Sequence, residues 1–204
     1  MIYDISVAIH KDMIVYKNRD KKKPRFKQSA TFEANGVYET DICMNLHTGT
    51  HIDFPLHTIK DGKTSNKQDL STLIGPATVY DMMHLDEKIT ADDLKDLDIK
   101  KGDFILFKTK NSLDKTFNFE FIYVDHTAAK YLAERKVRGV GIDALGIERA
   151  QPDHPTHDTL LNQDIIILEG INLSMVKADS YTLYCLPLKI ENVEALPVRA
   201  ILQK

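Results

Sequence analysis

The chain has 204 residues, 43% of them hydrophobic and 28% charged, with 27 Lys and Arg against 30 Asp and Glu for a net charge of -3. That length suits one domain over residues 1–204 with a core large enough to enclose a cavity. The near-balanced charge gives no general attraction to nucleic acid or anionic lipid, and no apolar run approaches the roughly 18 residues of a membrane span.

The opening stretch, MIYDISVAIHKDM, carries Asp4 early and has no basic region leading into an apolar one, so it does not read as a signal peptide. β-Branched and aromatic content predicts strands over residues 2–8, 30–34, 38–46, 77–82, 103–109, 138–142, 164–168 and 197–202. KNRDKKKPRF, residues 17–26, reads as a solvated basic loop, or as a mobile lip over a pocket. TADDLKDL begins a helix at Thr90, with Asp93 placed to complete a capping box. Residues 125–136 form the clearest helix: Asp125 caps it, Ala128, Ala129, Leu132 and Ala133 fall at helical spacing, and basic residues close it. VRGVGID follows at once as a strand. Strands outnumber helices and the two are interspersed, which predicts a mixed α/β fold with a curved, largely buried sheet. Cys43 and Cys185 are the only cysteines, too few for a disulfide framework or a zinc ribbon, and a reducing cytoplasm is the expected setting.

Residues 47–57, HTGTHIDFPLH, hold three of the eight histidines and an aspartate. Gly49, Pro55 and the β-branched Thr48, Thr50 and Ile52 argue against a helix. In an extended chain His47, His51, Asp53 and His57 share one face, and Thr48, Thr50, Ile52, Phe54 and Leu56 the other. A straight strand would put residues 47 and 57 roughly 33 Å apart, whereas ligands bond a metal at about 2.0–2.2 Å. The segment must therefore bend, and Gly49 and Pro55 are the residues that allow it. Imidazole with carboxylate suits Zn, Mn or Fe.

A second stretch, residues 141–171, runs strand, long loop, short apolar turn, strand. His154 and His157 lie in its loop, and Glu169 ends the apolar run from Ile165 to Leu168. No Gly-x-Ser-x-Gly elbow and no phosphate loop occurs in the chain.

HTGTHIDFPLH matches the pattern His-x-Gly-Thr-His-x-Asp-x-Pro-x-His of the cyclase family of metal-dependent hydrolases, which includes bacterial kynurenine formamidases and isatin hydrolases. YDIS, DDLKDLDIKKGDFILFKT, AAKYLAERKVRGVGID, HDTLLNQDIIILEGINL and LPVRAI also resemble blocks of that family, so the resemblance covers nearly the whole chain. It implies an α/β domain of swivelling β/β/α type, assembled as a dimer or larger homo-oligomer, with loops near the N-terminus covering the neighbouring site. It implies two divalent metal ions, zinc before manganese. His47, His51, Asp53 and Glu169 would hold the first. Asp53 and Glu169 would bridge to the second, which His157 would also bind. His57 would be the general acid/base. His154 has no counterpart role and reads as a loop residue or a partner of the ligands.

In the formamidases an aromatic residue, usually Trp, follows the first strand and lines the substrate pocket. This chain has no Trp; Tyr16 is the nearest match. The small Pro-Gly-Asp turn that usually follows is replaced by Lys17-Asn18-Arg19-Asp20, which favours an anionic substrate. The expected activity is attack of a metal-activated water on a small-molecule amide or lactone, with N-formylkynurenine the best single substrate. The alternatives are a lactone or lactam hydrolase, a cyclase or lyase on an anionic small molecule, and a metal-binding protein without turnover.

Overall fold

Phe104, Ile105, Leu106 and Phe107 are consecutive apolar residues with no polar alternation, the mark of a strand covered on both faces. The computed structural model, which describes residues 1–204 apart from the side chain of Lys67, shows what covers it. Strands are β1 (Ile2–Asp4), β2 (Arg25–Ala30), β3 (Glu39–Cys43), β4 (His51–Asp53), β5 (Ile74–Asp81), β6 (Lys88–Ile89), β7 (Phe104–Lys108), β8 (Tyr123–Val124), β9 (Gly139–Ile142), β10 (Ile166–Glu169), β11 (Asp179–Pro187) and β12 (Ala195–Gln203). Helices are α1 (Phe32–Asn35), α2 (Ala91–Leu94), α3 (His126–Glu134) and α4 (Pro155–Leu161).

Eight strands form one sheet in the order β1-β12-β11-β5-β7-β9-β10-β4, and a further pairing of β12 with β4 closes all but β1 into a ring. β5, β7, β9 and β10 run parallel, whereas β4 is antiparallel to both β10 and β12. Phe104 and Leu106 point into the ring, where they meet Ile52, Leu168, Leu183 and Leu202. Ile105 and Phe107 point outward into a second core with Val140, Ile142 and Ile167, under Ala128 and Leu132 of α3 and Leu160 and Leu161 of α4. Each such buried Val, Leu, Ile or Phe side chain contributes on the order of 1.5–3 kcal/mol. The α/β class and curved sheet expected from the sequence are found, and the curvature runs to closure.

Helices α2 and α3 lie where expected. Thr90 and Asp93 form the capping box, and the Asp125 carboxylate accepts from Thr127 N. Four points of the sequence reading need correction. The strand predicted over 30–34 is displaced: β2 occupies 25–30, taking in the end of the basic segment. Residues 32–35 are a single helical turn, capped by Thr31 and stopped by Gly36 at φ 72°. The loop around His157 contains α4, with Pro155 in its first turn, where a missing N–H costs nothing. β11 was not anticipated, although Tyr181, Leu183 and Cys185 alternate into the ring. The strand expected over 2–8 is shorter, with Ser6 continuing as an isolated bridge to Ile171. Among the described residues, no helix is long and apolar enough to cross a membrane.

Candidate metal centre

The face alternation read from residues 47–57 holds in β4. Ile52 and Phe54 enter the ring core, and His51 and Asp53 project from the opposite face. Gly49 makes the bend at φ 72°. The chain then turns at Pro55–His57, a single 3-10 turn that brings His57 back over the site.

Register supplies the distant candidate ligands. β10 pairs antiparallel with β4, setting Glu169 opposite His51 and Ile167 opposite Asp53. Glu169 is therefore on the same face as His51, with Oε2 3.3 Å from His51 Nε2. Its Oε1 accepts from the backbone N–H of Ile147 at 2.5 Å and lies 3.4 Å from His157 Nε2. Gly170 follows at φ 65°, so close to the Gly49 turn that a Cβ there would sit 2.3 Å from Gly49 O. Thr50 Oγ1 accepts from Val7 N and donates to Gly170 O, tying the N-terminal segment, the bend and the end of β10 together.

Asp53 is the hub. Its Oδ1 lies 3.0 Å from His47 Nδ1 and 3.5 Å from His51 Nε2, and its Oδ2 lies 3.6 Å from His157 Nε2. Neither oxygen receives an aligned hydrogen bond, although both are buried. A buried carboxylate with two unsatisfied oxygens is costly unless a cation compensates it. The imidazole nitrogens around it suit a divalent transition metal, so the residues present fit the expected metal. Both carboxylates turn one oxygen toward His51 and the other toward His157. The far nitrogens are engaged as well. His51 Nδ1 is 2.9 Å from Gly49 O, His47 Nε2 is 3.5 Å from Glu194 Oε1, and His157 Nδ1 is 2.5 Å from Glu148 Oε1.

Charge responds accordingly. Burial alone would depress His51, but the Glu169 hydrogen bond and the charges of Asp53 and Glu169 outweigh it and raise its pKa to about 9. His157 is raised well above its usual value for the same reason, with Asp53, Glu148 and Glu169 outweighing burial. Glu169 is held at about 2, because His157 and His51 overcome both burial and the repulsion of Asp53.

His57 sits at the mouth. Its ring centroid is 4.1 Å from that of His47 and 5.3 Å from that of His157. It is exposed, yet enough protein surrounds the ring that desolvation lowers its pKa, with His47 and His157 adding to the effect and Asp53 opposing it. Donor atoms of His47, Asp53 and His57 lie within 4.8 Å of one another, so His57 is also within ligand reach. Tyr16 is half-buried, packed edge-on against Phe117 at 5.3 Å, with Lys17 and Lys22 ammoniums 5.3 and 5.2 Å from its ring. Burial raises its pKa, and the Glu169 charge adds to the rise. His47, His51, Asp53, His57, His157 and Glu169 thus converge, with Tyr16 at their edge. Glu148 carries no motif and was missed.

The chain is similar to several known proteins. The family described as "Putative cyclase" matches residues 3–149. The kynurenine formamidase of Geobacillus thermodenitrificans is 37% identical, over 84% of this chain and 83% of its own; that of Salinibacter ruber is 33% identical, over 99% and 97%. A solved structure described as a predicted metal-dependent hydrolase from Bacillus stearothermophilus is 46% identical and superimposes with a TM-score of 0.91, covering 99% of this chain and 97% of that one. Isatin hydrolase A from Labrenzia aggregata shares the fold, at 21% identity and a TM-score of 0.85, over 99% and 93%. The chain belongs to the cyclase family. It is a metal-dependent hydrolase.

Proposed function

We propose that this protein is an arylformamidase, hydrolysing N-formylkynurenine or a close aryl formamide at a site of two divalent metals. The carrying observation is the convergence of four imidazoles on two buried carboxylates, with neither Asp53 oxygen in an aligned hydrogen bond. His47, His51, Asp53 and Glu169 would hold one metal. Asp53, Glu169 and His157 would hold the other. Zinc suits this mixed nitrogen and oxygen set, with manganese the alternative. Bound metal supplies Lewis acidity and makes hydroxide available near neutral pH.

The chain's own groups do the rest. His57, neutral because desolvation depresses it, takes a proton from the attacking water on a ring nitrogen and returns it to the leaving aniline nitrogen. Tyr16 and Phe117 offer an aromatic wall to the aryl ring. Lys17 and Lys22 beside Tyr16 favour a substrate with a carboxylate, which N-formylkynurenine carries. The same basic lip supports a second reading, a lactone or lactam hydrolase, or a cyclase or lyase, acting on another small anion.

We further read the whole chain as one domain, cytoplasmic and homo-oligomeric. The β2–β3 hairpin with α1 exposes Phe26, Phe32, Val37, Tyr38 and Ile42. An isolated hairpin is marginal in water, and a second copy of the chain would bury that surface.

The test is metal analysis of the purified protein with turnover of N-formylkynurenine, isatin and simple lactones in ¹⁸O-water. Hydrolysis places solvent oxygen in the formate; turnover without it sinks the hydrolytic reading. Turnover of lactones but not formamides moves the assignment to the second one.

A further inference from the structure

Glu148 lies between β9 and α4 and is 5% exposed. Its Oε1 is 2.5 Å from His157 Nδ1. Its Oε2 accepts from Thr156 N at 2.9 Å and from Gln151 Nε2 at 2.8 Å. Gln151 also accepts from the backbone N–H of His126 at the start of α3 and donates to Thr156 Oγ1, which donates to Val124 O. The carboxylate is thus fixed by α3, α4 and β8 together. Ala150, Asp153 and His154, none of them glycine, hold left-handed backbone at φ 54°, 61° and 50°, folding the intervening loop around it. The exposed His154 ring closes the solvent side, with Nδ1 3.3 Å from the same Oε1.

A neutral imidazole carries one N–H, and its other nitrogen holds the lone pair that binds metal. An acceptor fixed at Nδ1 keeps the proton there and leaves the lone pair on Nε2. In His157 that nitrogen faces Asp53 Oδ2 and Glu169 Oε1. Gly49 O performs the same service for His51, but with a neutral carbonyl. His157 alone has a buried carboxylate in that role.

We propose that Glu148 is a positioning residue that locks His157 as an Nε2 donor, so that the affinity of the metal site containing His157 depends on a side chain that touches no metal. This rests on the reading of His157 as a ligand. The competing role is structural: Thr156 N belongs to the first turn of α4, so Glu148 could serve only as a helix cap.

The experiment compares wild type, E148A, E148Q and H157A, each stripped with chelator and titrated with zinc against a chromophoric competitor. His157 is followed in parallel by long-range ¹H–¹⁵N NMR of the zinc-loaded chain. E148A should weaken one zinc site about 10- to 100-fold and spare the other, with loss of the fixed Nδ1–H signal. E148Q keeps the volume and an oxygen acceptor but not the charge. It should weaken the same site about tenfold, and it answers the question if E148A does not fold. A lower melting temperature with unchanged zinc affinities and an unchanged His157 tautomer reduces Glu148 to a cap and overturns the proposal. Full retention of both zincs by H157A instead removes the underlying ligand assignment.

Discussion

Glu169 stands directly across the β10–β4 ladder from His51, and its Oε2 approaches His51 Nε2 to 3.3 Å. Two proposed ligands far apart in sequence therefore owe their meeting to one register, and a slip by a single residue would send Glu169 to the ring interior. Glu169→Gln keeps that packing and removes the charge. It should lower metal affinity by at least the ~10- to 100-fold that loss of an outer partner costs, measured by chelator competition. Unchanged affinity would detach Glu169 from the metal.

Gly170 tests the backbone that delivers this carboxylate. Alanine there would meet Gly49 O at 2.3 Å while holding φ 65°. Gly170→Ala should cost about 1–3 kcal/mol of stability, read as a lower urea midpoint, with a parallel loss of metal affinity as Glu169 is displaced. Wild-type stability would mean that the turn relaxes freely.

His57→Ala separates catalysis from binding. Metal content should stay at the wild-type level while kcat falls about 10²- to 10⁴-fold. Since His57 lies within 4.8 Å ligand reach of His47 and Asp53, loss of metal in this variant would make it a ligand instead.

The metal-free chain should weaken steadily from about pH 5 to about pH 9. His51, raised from 6.5 to about 9, contributes stability that is complete below pH 6.5 and lost as pH rises through 9. Asp143 accepts from Thr109 and Ser112, but burial still lifts it from 3.8 to about 6, so its contribution is complete below 3.8 and lost as pH rises through 6. Glu169, lowered from 4.5 to about 2, contributes fully above 4.5 and loses that contribution only as pH falls through 2. Zinc should reverse the trend, because it displaces the proton from His51. Urea midpoints at pH 5, 7 and 9, with chelator and with zinc, check both halves.

Cys185 is fully buried in the ring core, and burial pushes its thiol up to about 12. Its reaction with a disulfide reagent should track global unfolding, whereas the exposed Cys43 reacts from the native state. Fast labelling of Cys185 would show that the ring opens locally.

The sequence displayed the local half of this site. Odd-numbered polar residues between Gly49 and Pro55 announced a bent, one-sided segment, and β4 keeps that parity. It could not display closure of the ring, because β12 divides its edge between β1 and β4, a long-range choice with no local pattern. α4 was hidden because Pro155 and a short apolar run read as a turn, although proline in the first turn is itself a helix signal. Glu148 stayed invisible for a different reason: its role comes from three elements meeting around one carboxylate.

The strand that carries His51 and Asp53 is only three residues long and is clasped on both edges by β10 and β12, which come far downstream. During synthesis, the histidine cluster emerges well before either clasp exists. With the proposed ligand set, ion capture follows completion of the ring, so a half-made or broken chain holds no assembled hydrolytic centre to act on bystander amides.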